Sequence, residues 1–257
     1  RHLFRDFFRR IRVRRHLSRH GANFQYHGLS VSLEGDVELS TANALIRGKY
    51  EREEAGLILQ HLPPDLPVIE LGGSLGVVSR PIRSRLAPGV KHLIVEANAE
   101  LVGTCWRNAS IGSAPNATEV VNAALFYGGP VARFRIGQEP HANSLDTGAG
   151  EGRVVEVPAV SLAELQRQIG NPPRVTLVAD IEGAEFDLFS QEGEALQSVE
   201  LAIVELHPRD YVRRGRSEKA MLDLIGRTGF AVAERRADGG PVRAAPAGGS
   251  RGWREER

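Results

Sequence analysis

Two groups of acids stand where a parallel sheet would offer them to a ligand. The first surrounds the run Val68-Ile69-Glu70-Leu71-Gly72-Gly73-Ser74-Leu75-Gly76, which reads as a strand, a glycine turn and the start of a helix. Gly72 allows the sharp turn, and Gly76 lets the helix start pack close to whatever fills the cleft. Twenty residues past Gly76, Glu96 ends the next strand, His92-Leu93-Ile94-Val95-Glu96, where a carboxylate can accept from both hydroxyls of a ribose. The dinucleotide fingerprint G-x-G-x-x-G is broken, because Ser74 stands where its second glycine belongs. Glu70 would also repel a pyrophosphate, whereas it attracts a sulfonium and an ammonium. Glu70, Gly72, Gly73, Ser74, Gly76 and Glu96 therefore read as contacts to S-adenosylmethionine. An NAD-linked oxidoreductase is the enzyme alternative, and a non-catalytic S-adenosylmethionine-binding module is the alternative of another class.

The second group follows a strand at Val175–Ala179, with Asp180, Glu182 and Glu185 just past its carboxyl end. Methyl transfer to a hydroxyl is an in-line displacement, and a neutral hydroxyl gains from a base within hydrogen-bond reach. Asp180, Glu182 and His207 are the catalytic candidates. His207 ends Ile203-Val204-Glu205-Leu206-His207-Pro208 and is the best base by its ordinary pKa. The plainer alternatives are a helix cap for Glu182 and Glu185 and a structural histidine at 207. Asp180, Glu182, Glu205 and His207 have the chemistry to gather a divalent cation, but their spacing does not require one and no metal is expected. Tyr50 and Glu51 either fold over the cleft as a lid or are a packed aromatic and a solvated acid.

Short apolar strands alternating with helices must position these groups. The strands fall at Val68–Leu71, His92–Ala97, Glu119–Ala123, Val154–Pro158, Arg174–Ala179, Val199–Leu206 and Phe230–Glu234, with a last one at Pro241–Ala244. Helices fall near Leu75–Leu86, Ala99–Asn108, Leu162–Ile169, Ala184–Glu192 and Ser217–Thr228. Near-continuous apolar strands between amphipathic helices predict a doubly wound, mostly parallel α/β sheet covered on both faces. Val131–Ile136 and Val154–Pro158 add a hairpin excursion. Ahead of the sheet, alternation around Glu34-Gly35-Asp36 predicts a hairpin turning near Gly35, and a helix runs from about Asn43 to Leu62. The expected divisions are a basic amphipathic helix (1–22), a hairpin and helix (23–64), the main domain (65–245) and a loose tail (246–257).

Several of these runs resemble the FkbM-type S-adenosylmethionine-dependent methyltransferases. The carriers are Val68–Gly76, Val95-Glu96-Ala97-Asn98, Val121-Asn122-Ala123-Ala124-Leu125, Asn143-Ser144-Leu145, Val157–Leu165, Asp180-Ile181-Glu182-Gly183-Ala184-Glu185 and Ile203–Pro208. The Asp-x-Glu-Gly-Ala-Glu run is the most specific. The resemblance implies a seven-stranded, Rossmann-like methyltransferase sheet and methyl transfer to an oxygen of a carbohydrate or natural product. It places Glu70, Gly72 and Gly76 at the methionine end of the cofactor, Glu96 at its ribose and Asn122 by the adenine, with Ala97, Asn98 and Asp180 as further cofactor contacts. Asn143, Ser144 and Tyr50 become substrate contacts. Where family members often carry Lys two positions before the Asp, this chain has Val178.

The formal net charge of +1 hides an asymmetry. Residues 1–20 hold eight arginines against Asp6, which leaves 25 basic and 31 acidic side chains for the rest. The acidic body argues against a broad nucleic-acid face. The arginine helix, with Phe4, Phe7, Phe8 and Ile11 at helical spacing, fits an anionic membrane surface, a targeting peptide or a helix docked on the domain. Cys105 is the only cysteine, so no internal disulfide forms. A buried apolar thiol is the plain reading. The expected setting is cytoplasmic, with peripheral contact at the inner membrane surface.

Overall fold

The computed structural model describes residues 2–33, 38–137, 144–145, 152–236 and 240–248, with side chains from residue 6 onward. Helix α1 (His2–His20) leads into a hairpin of β1 (Asn23–Tyr26) and β2 (Leu29–Ser32), then α2 (Leu39–Ile46) and α3 (Arg52–His61). The hairpin turns at His27-Gly28, not near Gly35. Both residues take positive φ (50° and 77°), which matches the twist of a tight hairpin. Leu39, expected in a strand, starts α2, and residues 34–37 lie outside the described residues. The single helix expected over 43–62 is two helices, interrupted after Ile46 with Gly48 at φ 59°. Asn108 fastens this extension to the body. Its Oδ1 accepts from the Ser32 amide at 2.8 Å, and its Nδ2 donates to the carbonyls of Ser32 and Leu75.

The body continues with β3 (Val68–Leu71), α4 (Ser79–Arg85), β4 (His92–Val95), α5 (Ala99–Ala109), β5 (Thr118–Val121) and β6 (Ala124–Leu125). Next come β7 (Val131–Ile136), β8 (Ser144–Leu145), β9 (Arg153–Val160), α6 (Leu162–Gln168), β10 (Val175–Ala179) and α7 (Glu185–Gln191). The chain closes with β11 (Val199–Val204), α8 (Pro208–Arg213), α9 (Glu218–Arg227), β12 (Phe230–Arg235) and β13 (Val242–Pro246). The seven-stranded sheet runs β12-β13-β11-β10-β3-β4-β5. It is mixed: β11, β10, β3, β4 and β5 pair in parallel, while β13 enters antiparallel between β11 and β12. A separate four-stranded sheet, β6-β9-β7-β8, forms the excursion.

Burial on both sheet faces explains the apolar strands. Every residue of β3, β4 and β10 is buried, and each such Val, Leu or Ile contributes about 1.5–3 kcal/mol. One face packs Leu71, Val95 and Ala179 toward α7 and α9, and the other packs Val178 and Ile203 against Leu57, Ile58 and Ile82 of α3 and α4.

Candidate active site

The register of the parallel strands sets a row of residues along one sheet edge. Val121, Val95, Leu71, Ala179 and Val204 are aligned partners on neighbouring strands. The next residue on each is Asn122, Glu96, Gly72, Asp180 and Glu205, so five strand ends present one level row at the edge where such sheets bind ligands.

At Gly72 (φ 91°) an added Cβ would stand 1.9 Å from the Asp180 carbonyl oxygen, so only glycine lets the turn cross the end of β10. Gly76 serves the fold more than the cleft: its Cβ would meet the Cys105 carbonyl of α5 at 2.6 Å, and Gly73 faces Ile94 and Cys105 in the same way. Ser74 takes a left-handed backbone (φ 46°) and donates its N–H to Glu96 Oε2 at 2.6 Å, while the Asn98 N–H donates to Glu96 Oε1 at 2.7 Å. Burial pushes the Glu96 carboxyl up to about 7 despite these two donors. Asn98 also caps α5, and Asn122 Nδ2 donates to the carbonyls of Glu96 and Ala97, bracing the loop that carries them. Cys105 is buried with a raised pKa from desolvation, which suits an inert apolar thiol.

A cavity enclosing about 730 Å³, its open mouth included, lies above this row. Its polar side is Glu51, Ser74, Glu96, Asp180 and Glu182, and its apolar wall includes Ala97, Ala123, Leu125, Phe134, Leu145 and Ile181. Among the described residues no lysine or arginine lines it. A wider hollow, open to solvent, adjoins it and is lined by Thr41, Lys49, Arg52, Glu53, Glu54, Glu205 and His207 among others. Tyr50, Glu51, Asp180 and Glu182 line both spaces.

The structure does not bring every expected residue to the cavity. Glu70 is buried behind it, on the sheet face shared with Val178 and Ile94, and its oxygens are taken by Ser79 Oγ (2.8 Å) and His92 Nε2 (2.7 Å). It borders only a smaller adjoining pocket with Gly73 and Glu54. Asn143 lies outside the described residues, and Leu145, next to Ser144, is the side chain on the wall. Tyr50 packs edge-on to Tyr26 at 6.5 Å, as the packed-aromatic reading has it, and it also lines the cavity.

His207 is not placed to act as a free base. Its Nδ1–H donates to Glu185 Oε1 at 2.9 Å, and Nε2 lies 3.3 Å from Asp180 Oδ1 and 3.4 Å from Glu182 Oε2. Burial lowers its pKa, but the hydrogen bonds and charges of Asp180 and Glu185 outweigh that and push it up to about 12. The ring is a positive clamp among three acids. Glu185, fully buried, also accepts from Tyr211 OH at 3.0 Å and the Gly183 N–H at 3.3 Å. Burial pushes Glu182 up to about 8 and Glu205 to about 9, the latter helped by repulsion from Asp180 and Glu51.

Sequence reasoning missed the wall residues Phe134 and Leu145 and the buried Glu54. Leu125 and Leu145 sat inside runs that carried the resemblance. Glu54 had its own signal, since Glu54, Leu57 and Ile58 fall on one helix stripe.

Residues 74–232 match the family model of the methyltransferase FkbM domain. The chain belongs to that family. It is an S-adenosylmethionine-dependent methyltransferase, and the NAD alternative falls away. Among solved structures, the chain is similar to magnesium protoporphyrin IX methyltransferase (ChlM) from Synechocystis PCC 6803 with bound SAM (14% identity, 82% of this chain and 86% of that one, TM-score 0.47). It is also similar to a putative caffeoyl-CoA O-methyltransferase from Staphylococcus aureus (12%, 76% and 83%, TM-score 0.45). A third is the mitomycin 7-O-methyltransferase MmcR (11%, 83% and 59%, TM-score 0.40). No curated protein matches the chain by sequence.

The cavity of this methyltransferase fits its cofactor. Four carboxylates without a lining cation suit a sulfonium and an ammonium and oppose a pyrophosphate. Alanines beside Phe134 and Leu145 give the cavity an apolar wall, the kind of surface a purine packs on.

Proposed function

We propose that the chain methylates a hydroxyl of a carbohydrate or natural-product acceptor seated in the polar hollow. The observation that supports this is the junction: Tyr50, Glu51, Asp180 and Glu182 line both the cofactor cavity and the hollow. In this reading Glu96 holds the ribose, Asn122 and Asn98 steady it from behind, and Phe134 with Leu145 flanks the adenine. When bound, S-adenosylmethionine supplies an electrophilic methyl on a sulfonium. Asp180 takes the acceptor's proton, Glu182 orients the hydroxyl, and His207 holds both carboxylates in place through their ion pairs. Polar groups around the hollow, such as Ser40, Thr41 and Lys49, suit a hydroxyl-rich acceptor.

The test is transfer of an isotope-labelled methyl from S-adenosylmethionine to a panel of sugars and polyhydroxylated natural products. The label is expected on oxygen, and Asp180→Asn should cut turnover by about 10²–10⁴. Label on nitrogen or carbon, or full activity of the variant, would refute the assignment.

The amphipathic helix is assigned to an anionic membrane surface. Val13 and Leu17 dock on the hairpin cluster, and His16 stacks on Phe24 at 4.6 Å. Phe7, Phe8 and Ile11 remain exposed (57%, 58% and 47%) among arginines, the makeup of an interfacial helix. No helix among the described residues is long and apolar enough to cross a membrane.

A further inference from the structure

Glu54 projects from α3 into the cleft with 2% of its surface exposed, and neither carboxylate oxygen has a hydrogen-bond partner among the described residues. An ionised carboxylate buried with neither a donor nor a cation is among the costliest groups a fold can carry, and without a cation burial and the nearby acids push the Glu54 carboxyl well above its usual range. Two further acids close around it. One oxygen each from Glu51, Glu54 and Glu205 lies within 4.8 Å of the others, and Glu205 Oε2 is likewise buried without a hydrogen bond. The neighbouring cluster of Asp180, Glu182 and His207 differs, because there the His207 ring provides the positive charge. Lys49 and Arg52 line the same hollow, but no lysine or arginine among the described residues pairs with Glu54.

We propose that Glu51, Glu54 and Glu205 hold a divalent cation of the oxygen-ligand class beside the methyl-transfer junction. Oxygens bound to one calcium ion stand up to roughly 5 Å apart and those on magnesium up to about 4.2 Å, so three oxygens within 4.8 Å of one another are within reach of a single ion of this class. The hollow leaves room for water or acceptor hydroxyls to complete the shell. The elements hold the ligands from two sides. Glu205 follows β11 directly, level with Asp180. Glu51 precedes α3 with its carbonyl fixed by Tyr26 OH at 3.1 Å. A cation here ties α3 to the sheet edge and presents a Lewis acid to the acceptor. That role rests on the proposed methyl transfer, but cation binding itself does not.

The experiment uses the full chain, stripped with chelator and free of cofactor, titrated by calorimetry with MgCl₂, MnCl₂ and CaCl₂. Manganese binding is followed in parallel by the loss of its free-ion paramagnetic resonance signal. Saturable binding is expected, weakened about tenfold or more by Glu54→Gln and by Glu205→Gln, with circular dichroism unchanged. S-adenosylhomocysteine is titrated into the same samples, so loss of the methyltransferase reading is seen separately from loss of the cation site. Silence toward all three ions overturns the proposal. So does cation binding that survives both substitutions, which would move the ion to the His207 cluster. Weaker S-adenosylhomocysteine binding in Glu54→Gln without any cation binding would also overturn it, by assigning Glu54 to the cofactor's end.

Discussion

Ser74 occupies a backbone conformation that costs a non-glycine residue about 1–2 kcal/mol, and the return is an amide aimed at Glu96. On the proposed ribose contact, that geometry makes Glu96 the pH-sensitive point of cofactor binding. With its carboxyl pushed up to about 7, the group is protonated in mild acid and gives up one acceptor position for the ribose. Affinity for S-adenosylhomocysteine should therefore rise as pH increases through about 7, and Glu96→Gln should bind more weakly by about 1–3 kcal/mol with that dependence gone. Calorimetric titration across pH decides, and a pH-independent wild type would remove Glu96 from the ribose. His207 makes the opposite kind of contribution. A histidine whose folded pKa is raised stabilises fully below its ordinary 6.5, and the contribution drains away as pH rises toward about 12. His207→Asn strips the fully buried Glu185 of its charged partner, and denaturant unfolding should show a loss of about 3–5 kcal/mol at neutral pH. A loss under about 1 kcal/mol would mean the clamp is not formed. Glu96 and Asp180 were legible in the sequence because each directly follows a strand, whereas His207, expected at a strand end, stands three residues past β11 as the N-cap of α8. The protonation state of His207 was not legible, because it depends on Glu185 and Tyr211, which reach it only through folding.

At the scale of elements, alternation and apolar runs located every strand of the main sheet to within a few residues. Periodicity failed where backbone chirality decided. The turn at His27-Gly28 and the break at Gly48 are fixed by positive φ, to which hydrophobic spacing is blind. Insertion of β13 between β11 and β12 is a matter of topology that no local pattern carries. The glycine turn is held by α5, so Gly76→Ala should cost about 2 kcal/mol or more in thermal unfolding, because the new methyl meets the Cys105 carbonyl. Unchanged stability would mean the turn can move away from α5. Helix α1 makes a separate prediction. Phe7→Ser with Phe8→Ser should reduce co-sedimentation with anionic vesicles and leave neutral vesicles and cofactor affinity unaffected. Binding that persists in the double variant would exclude this face as the contact.

The whole molecule separates its charges by purpose. The arginines gather on α1, while carboxylates from α3, β4, β10 and β11 converge on one sheet edge around space suited to a cation. The sheet brings Glu96 of the first acid group to Asp180 and Glu182 of the second, as expected from strands that end on the same side, while Glu70 stays behind the cavity. Phe134 and Leu145 of the cavity's apolar wall were hidden, because they come from β7 and β8 of the second sheet, which folds over the strand ends of the first.

The most direct test of this account is thermal unfolding in the presence of S-adenosylhomocysteine, with NADH run beside it and Glu96→Gln as the control protein. Ligand at about a hundred times its dissociation constant adds about 2.7 kcal/mol, a rise of roughly 5–10 °C for a chain of this size. That rise is expected with S-adenosylhomocysteine alone, and a smaller rise in the variant at the same concentration. A shift with NADH alone, or one with S-adenosylhomocysteine that Glu96→Gln leaves untouched, would contradict it.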